Sequence, residues 1–284
     1  MQIFPIGQAG SDLATWQGVH LFHFGMSSCS QKLRLFLKVK GIEWSGHLVD
    51  LAHHENYGAE FMAINPRGMV PVLVLDGEVH IESNEILALL EEKFPHPPLI
   101  PADKKDAIAS LLVEEDALHH DLRHLSFRYV HGRTGSTKTE ALMQAYRSGG
   151  TIGDTPDPKK EAEIAFYERL GSQGLDDATC RTSALRFRAA FERFEGTLAS
   201  NPPYLLGAEP TVIDIAWFVY AYRLVLGGYP LATLHPRLCQ WFEMCRTLPG
   251  WEDEVAPPPA LSQKIEATRK AQQESGKTMA ALFD

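Results

Sequence analysis

The chain has 284 residues, of which 44% are apolar and 22% charged, and its 27 basic and 36 acidic side chains give a formal net charge of −9 at pH 7. This length suffices for one large domain or two modest ones, each with its own hydrophobic core. The acidic balance, without a long basic stripe, excludes the usual pattern of a nucleic-acid-binding protein. No uncharged apolar run approaches the roughly 18 residues that span a bilayer, so we expect neither nucleic-acid nor membrane partners.

The four cysteines stand far apart, with no C-x-x-C motif and no paired Cys/His spacing. This pattern predicts neither a zinc site nor a disulfide framework. The sequence also opens without the charged and then apolar segment of a secretory signal. These features fit a reducing compartment, and we expect a cytoplasmic protein that holds no metal.

The first hundred residues show strand and helix patterns in a definite order. The segments are, in chain order, a leader (1–17), a strand (19–24), an amphipathic helix (32–40), a strand (47–51), a hairpin around Asp76-Gly77 and a helix (83–94). This order gives a parallel βαβ unit joined to an antiparallel ββα unit. It predicts a four-stranded sheet with helices on its faces, which is the thioredoxin-like arrangement.

A proline-rich stretch, PHPPLIP (95–101), separates this part from the rest of the chain. Because proline interrupts a helix, we place the domain boundary here, with a first domain at 18–96 and a linker at 97–102. Beyond it, apolar residues recur at helical spacing, and TVIDIAWFVYAYRLVL (211–226) is apolar nearly all round. We predict an all-helical domain at 103–256 around this central helix.

Two segments of the second half depart from this pattern. Residues 131–158 are rich in Gly, Ser, Thr and Pro around one short helical candidate, 140–147, and predict a lid or loop insertion. Residues 257–284 predict a polar helical tail. That tail is either a partly ordered extension or a segment that docks over the site.

Two blocks of sequence resemble glutathione transferases. SSCSQKLRLFLKVKGIEW (27–44) resembles the Ser-Ser-Cys opening of the zeta class, and MSSCSQK also resembles the opening of tetrachlorohydroquinone dehalogenase. INPRGMVPVLVLDGEVHIESNEILALLEEKFP (64–95) is similar to the matching block of bacterial transferases, including the β-etherases. The resemblance extends from about Val19 to Trp251. It implies the glutathione transferase fold (α/β and all-α), with an N-terminal thioredoxin-like domain followed by an all-helical C-terminal domain.

The pair Val70-Pro71 stands at the start of a clear strand pattern, although Pro71 lacks the N–H that a strand residue normally donates. A cis Val70-Pro71 bond would explain a proline at this position. A cis bond turns the Val70 backbone outward, where a peptide can pair with it like an added strand. An ordinary edge-strand proline is the alternative. In the family the proline is cis, and the residue before it pairs with the cysteinyl backbone of glutathione.

The pair Glu82-Ser83 lies where the fourth predicted strand gives way to a helix. The Ser83 hydroxyl and the N–H groups of that first turn can bind an anion, and plain N-capping by Ser83 is the alternative. The resemblance assigns the γ-glutamyl carboxylate of glutathione to this place. It also puts Glu82 near the γ-glutamyl ammonium.

Transferases commonly have Lys or Gln just before the Val-Pro pair, whereas this chain has Met69. Methionine gives only backbone and apolar contact, so the glycyl carboxylate of glutathione needs another donor. Asn56, Arg67, His53 and His54 are the candidates. All four can equally be solvated loop residues.

The turn before the first helix carries three hydroxyls and a thiol, at the helix end that favours a thiolate. A serine that donates to a thiolate contributes about 1.5 to 3 kcal/mol, or roughly one to two pKa units. By resemblance, Ser27 matches the activating serine of theta and zeta enzymes, and Cys29 matches the cysteine of beta-class enzymes. We expect Ser27 to be the activator with Ser28 in support. Cys29 as a nucleophile that forms a mixed disulfide remains open, as does simple capping by Ser28 or Ser30.

The resemblance therefore implies a homodimeric glutathione transferase of detoxification type, with glutathione as co-substrate and a small hydrophobic, aromatic electrophile as the other substrate. We expect the electrophile to lie against Phe24, Met26, Phe127 and Tyr129. Two alternatives stay open. One is a cysteine-dependent glutathione enzyme, such as a reductive dehalogenase, lyase or thiol transferase. The other is a transferase-like binding protein without turnover.

Overall fold

The computed structural model describes residues 3–5, 13–150, 152 and 156–284. The remaining parts of the predicted leader and of the predicted 131–158 insertion lie outside the described residues. The chain divides into two compact units, which we call unit 1 (residues 1–97 and 137–171) and unit 2 (residues 98–136 and 172–284).

Unit 1 contains a mixed sheet in the order β1-β3-β2-β4-β5. Its strands are β1 (Ile3–Pro5), β2 (Val19–His23), β3 (Ser45–Leu48), β4 (Val72–Leu75) and β5 (Glu78–His80). Both β1 and β2 run parallel to β3, whereas β4 is antiparallel to β2 and to β5. The thioredoxin-like βαβ and ββα order is confirmed. The expected count of four strands was wrong, because the leader contributes β1.

The helices are, in chain order, α1 (Ser28–Lys40), α2 (Ala59–Ile64), α3 (Ser83–Lys93), α4 (Lys105–Ala117), α5 (His119–Leu125), α6 (Glu140–Ser148), α7 (Pro158–Gln173), α8 (Asp177–Ser200), α9 (Val212–Leu226), α10 (Leu231–Leu234), α11 (Pro236–Thr247), α12 (Trp251–Val255) and α13 (Pro259–Glu274). A π-helical turn, Ser126–Val130, follows α5. Among the described residues, no helix has both the length and the hydropathy that crossing a bilayer requires.

The core of unit 1 lies between the sheet and its helices. Phe22, Phe61, Val72 and Val74 are fully buried in one cluster. Since the burial of one such side chain is worth about 1.5 to 3 kcal/mol, this cluster fixes the strands that carry the site. Gly41 ends α1 in the left-handed conformation at φ 67°, as its position after the amphipathic run predicts.

Residues 137–171 pack within unit 1, although we predicted them inside the helical domain. The reason is an apolar face on α6: Met143 and Tyr146 form one buried cluster with Tyr57 and Met62. The rings of Tyr57 and Tyr146 have centroids 4.4 Å apart. The structure therefore moves the bounds of the insertion from 131–158 to 137–171. This insertion covers the loop and helix that precede the Val-Pro pair.

Unit 2 is all-helical around α9, as the sequence predicts. Thr211 and Asp214 form the capping box at its start, and Asp214 also accepts a 2.9 Å hydrogen bond from Trp241 Nε1.

The predicted tail, residues 257–284, packs on unit 2. Ile265 and Met279 are buried, and Gln272 Nε2 donates a 3.1 Å hydrogen bond to the Arg128 carbonyl. The tail is therefore a docked part of unit 2.

Candidate functional site

Sheet register brings three segments of unit 1 together at one end of neighbouring strands. Phe22 of β2 is opposite Val72 of β4, and Leu73 of β4 is opposite His80 of β5. The chain leaves β2, enters β4 and leaves β5 at this same end, because both strand pairs are antiparallel. Residues 24–27, 70–71 and 81–83 therefore meet there.

The turn after β2 presents two of its four candidate side chains. Ser28 and Ser30 are buried, whereas Ser27 and Cys29 are half-buried. Ser27 is the N-cap of α1, and its Oγ accepts a 3.3 Å hydrogen bond from the Ser30 N–H. Ser30 Oγ in turn accepts from the Phe24 N–H at 3.4 Å. The capping bond uses an acceptor position of Ser27, so it does not consume the hydroxyl proton.

Arg34 fixes the backbone of this turn from below. Its Nη1 donates to the Phe24 carbonyl at 3.2 Å and its Nη2 to the Gly25 carbonyl at 3.1 Å. Arg34 is 7% exposed, and the planar fork of its guanidinium suits two adjacent carbonyls. The helical pattern alone does not predict this role, because an arginine of an amphipathic helix ordinarily lies on its solvent face.

Lys32 connects the two helices that begin at the site. Its Nζ donates a 2.6 Å hydrogen bond to Asn84 Oδ1, in the first turn of α3. Lys32 is 1% exposed, although a lysine of an amphipathic helix ordinarily lies on its solvent face. A buried cation needs such polar partners to be stable in the interior.

The Val70-Pro71 bond is cis, as predicted. Asn65 fixes the loop that leads to this bond. Its Nδ2 donates a hydrogen bond to the Met69 carbonyl at 2.8 Å, and its Oδ1 accepts one from the Arg67 N–H at 3.1 Å. Val70 precedes β4 and has no backbone hydrogen bond among the residues that the structure describes. Its peptide groups are therefore the ones that an added strand would use.

The four candidate donors near Met69 have different surroundings. Asn56 is 6% exposed, and its Nδ2 donates to the Gly68 carbonyl at 2.6 Å, so it holds the loop from inside. The His53 side chain is 83% exposed and 2.6 Å from Asp50 Oδ2, and this hydrogen bond raises the pKa of His53. His54 is half-buried, with its ring centroid 6.4 Å from that of Tyr57. Arg67, the fourth, lies against a carboxylate.

That carboxylate belongs to Glu82, which immediately precedes α3. Ser83 is the first residue of the helix, and the N-cap position falls on Glu82, whose side chain makes no capping bond. N-capping by Ser83, the alternative to anion binding at this place, was therefore wrong by one residue. Glu82 adopts φ 68° and ψ 107°, a conformation that non-glycine residues rarely occupy and that clusters at functional sites.

Both carboxylate oxygens of Glu82 contact cations. Oε1 pairs with Arg67 Nη1, and Oε2 pairs with Lys159 Nζ. Arg67 Nε also donates to Asp157 Oδ2 at 2.6 Å, and this hydrogen bond lowers the pKa of Asp157 against the effect of burial. The same two carboxylates raise the pKa of Arg67 despite its burial. Sequence reasoning missed Asp157 and Lys159, because both belong to the insertion.

The predicted electrophile-binding residues fall in both units. In unit 1, Phe24 and Met26 are half-buried in the turn. In unit 2, Phe127 is half-buried, with its ring 4.6 Å from the Arg133 guanidinium carbon. Tyr129 is 1% exposed, and burial raises its pKa to about 12. Tyr129 therefore belongs to the core of unit 2 and has almost no surface to offer a ligand.

Two family models match the chain, "Glutathione S-transferase, N-terminal domain" over residues 26–93 and "Glutathione S-transferase, C-terminal domain" over residues 181–243. A maleylpyruvate isomerase of Ralstonia sp. is 39% identical over 198 residues, which cover 68% of this chain and 76% of that protein. Glutathione S-transferase 1 of Dianthus caryophyllus is 42% identical over 87 residues, 31% of this chain and 39% of that protein. The present chain thus spans well under two thirds of the latter relative.

Among solved structures, the beta-etherase LigF from Sphingobium sp. strain SYK-6 matches with a TM-score of 0.66. The match covers 84% of this chain and 98% of that chain at 24% identity. At this level of identity the likeness shows the fold alone.

Proposed function

Because this chain belongs to the glutathione S-transferase family, we propose that it ionises the thiol of glutathione at the Ser27–Cys29 turn and directs the thiolate at a hydrophobic, aromatic electrophile. The expected two-domain fold is confirmed by the family and structural matches. The observation that carries the proposal is the convergence of residues 24–27, 70–71 and 81–83 at one end of three strands.

Each of these segments has one task in the proposed binding mode. The Val70 N–H and C=O pair with the cysteinyl backbone like an added strand. Ser83 and the N–H groups at the start of α3 hold the γ-glutamyl carboxylate, since a helix N-terminus favours negative charge. Glu82 receives the γ-glutamyl ammonium. Met69 contributes apolar and backbone contact. Asn56 supports the loop before Met69 through its hydrogen bond to the Gly68 carbonyl.

Ser27 is the proposed activator of the thiol. Its Oγ accepts a hydrogen bond from the Ser30 N–H. In the proposed complex, its O–H group donates a hydrogen bond to the thiolate. The bond stabilises the charged form by about 1.5 to 3 kcal/mol, which lowers the thiol pKa by roughly one to two units. Ser28 is buried at the first position of α1 and supports the turn. The thiolate then attacks an electrophilic carbon, and the electron pair leaves with the displaced group or is accepted by the adduct.

A cysteine-dependent reaction is the second candidate, because Cys29 is half-buried in the first turn of α1. In that reaction the Cys29 thiolate attacks the sulfur of a glutathionyl conjugate. A Cys29–glutathione disulfide forms, and the carbon-bound group leaves with the electron pair and takes up a proton. A second glutathione thiolate then reduces the mixed disulfide and releases oxidised glutathione.

The electrophile proposal rests on Phe24 and Met26, which are half-buried beside the turn. The name of the beta-etherase neighbour fits an aryl ether as the electrophile. Homodimerisation, a cytoplasmic location and a detoxification role belong to the same proposal. Size-exclusion chromatography with light scattering tests the dimer directly.

The experiment that tests the function is retention on immobilised glutathione followed by an assay with an aryl chloride electrophile and with a β-aryl ether. Retention and conjugation of either substrate support the transferase. Retention without turnover of these substrates or of a glutathionyl mixed disulfide supports a binding protein instead. Failure to bind glutathione contradicts the proposal.

A further inference from the structure

Glu82 lies between two cations that differ in their exposure to solvent, Arg67 and Lys159. Arg67 is held on three sides: Nη1 by Glu82, Nε by Asp157 at 2.6 Å, and its carbonyl by the Tyr146 hydroxyl at 2.7 Å. Its side chain is 16% exposed. Arg67 is therefore a fixed part of the site.

Lys159 has an anchored backbone and a partly exposed side chain. Its N–H donates to Asp157 Oδ1 at 3.0 Å, and Asp157 is 4% exposed, so the start of α7 is anchored beside Glu82. The Lys159 side chain itself is 45% exposed. A lysine ammonium is a point charge on a flexible four-carbon stem, so it can change partners without movement of the helix.

Opposite charges alternate along the ion pairs of this cluster. Two cations, Arg67 and Lys159, face two carboxylates, Glu82 and Asp157. The γ-glutamyl end of glutathione is a zwitterion, with an α-ammonium and an α-carboxylate on one carbon. A zwitterion can enter an ion pair without changing the net charge, provided that each of its charges finds the opposite member of the pair.

We infer that Lys159, a residue of the insertion, is a specificity-determining ligand of the γ-glutamyl α-carboxylate. On binding, the α-ammonium takes the Oε2 position of Glu82, and the Lys159 ammonium turns to the α-carboxylate at the start of α3. Arg67 keeps its bond to Oε1 and holds the Glu82 carboxylate in place. This inference rests on the proposed function, because it assigns a further residue to the same glutathione site.

The insertion therefore supplies recognition as well as cover. Asp157 acts as a positioning residue, since it fixes both the Arg67 guanidinium and the Lys159 backbone. The N-terminus of α3, at Ser83, and the Lys159 ammonium bind the α-carboxylate together. Lys159 should therefore not increase the affinity for a peptide that lacks this carboxylate.

The test compares wild-type protein, Lys159→Met and Lys159→Arg by calorimetric titration with three peptides. They are glutathione, γ-aminobutyryl-cysteinylglycine, which lacks the α-carboxylate, and glutaryl-cysteinylglycine, which lacks the α-amine. We expect Lys159→Met to weaken glutathione binding about three- to fivefold, as for a partly exposed ion pair. It should weaken binding of the peptide without the amine, whereas the peptide without the carboxylate should bind at least as tightly as to the wild type, because its ammonium then has no competitor at Glu82 Oε2. Lys159→Arg should restore most of the glutathione affinity.

Lys105→Met, at an exposed lysine of α4, is the matched control and should bind all three peptides like the wild type. Tighter or equal glutathione binding by Lys159→Met, or equal weakening of all three peptides, overturns the inference while the glutathione site stands. Absence of glutathione binding by the wild type overturns the proposed function itself. The two failures are therefore distinguishable.

Discussion

The hydroxyl of Tyr146 donates a 2.7 Å hydrogen bond to the main-chain carbonyl of Arg67. Tyr146 is fully buried on α6 of the insertion, and Arg67 stands three residues before Val70. This one bond links the insertion to the loop that leads into the Val-Pro pair. The insertion is therefore part of the architecture around the candidate site.

We expect Tyr146→Phe to lower the free energy of unfolding by about 1 kcal/mol, because it removes one buried hydrogen bond and retains the ring. Urea denaturation monitored by circular dichroism measures the change. The KM for glutathione should rise in parallel, since the Arg67 carbonyl loses its support. Unchanged stability would show that water replaces the hydroxyl at no cost.

Ser27→Ala should reduce turnover of an aryl electrophile about 10- to 100-fold, the factor that corresponds to a lost hydrogen bond to a thiolate. The pH–rate profile should move up by roughly one to two units, because the thiol then ionises at its ordinary pKa. Steady-state kinetics at several pH values provide both readouts.

Ser27 is also the N-cap of α1, so a stability effect must be separated from the catalytic one. Ser27→Gly is the control, since glycine keeps most of the capping stability but has no hydroxyl. Both variants should lose the same turnover. If Cys29→Ser abolishes activity and Ser27→Ala does not affect it, the cysteine-dependent reaction is the correct one.

Asn65→Ala should weaken glutathione binding about tenfold, because the Met69 carbonyl and the Arg67 N–H both lose their partner beside the Val70 backbone. The variant should also be less stable by about 1 to 3 kcal/mol, as expected for buried polar groups left unsatisfied. Titration calorimetry and urea unfolding measure the two effects. Asn65→Asp, which keeps only the acceptor, should lie between alanine and the wild type.

Stability should fall on mild acidification. Burial, followed by the charge of Arg34, lowers the pKa of His23 to about 3, and burial, followed by His20, lowers that of His47 to about 4. An unfolded chain protonates both residues near pH 6.5, so below that pH the unfolded state binds more protons than the folded state. The stabilising contribution is complete above about pH 6.5 and is lost as the pH falls towards 4.

The expected slope is about 1.4 kcal/mol per pH unit for each of these histidines once the pH is well below 6.5. Urea unfolding at about pH 7.5, 6 and 5 gives the slope. His47→Asn should reduce this slope by about 1.4 kcal/mol per pH unit, which is the contribution of one histidine. An equally steep slope in that variant would mean that other groups carry the acid sensitivity.

The sequence by itself determined the local features of this protein. The strand and helix order follows from apolar spacing and turn residues, the end of α1 from Gly41, and the cis Val70-Pro71 bond from a proline at a strand start. Each of these features depends on residues within a few positions of one another. The resemblance carried by two such blocks was sufficient to indicate the family.

Only the tertiary structure decided which distant residues share the site. Lys32 and Asn84 are separated by 52 positions, Glu82 and Lys159 by 77, and Arg67 and Asp157 by 90. Periodicity places a lysine or arginine of an amphipathic helix in solvent, because an isolated buried charge is costly. The structure overrides this expectation where carbonyl, amide and carboxylate groups from remote segments surround the cation, and no local pattern encodes that meeting.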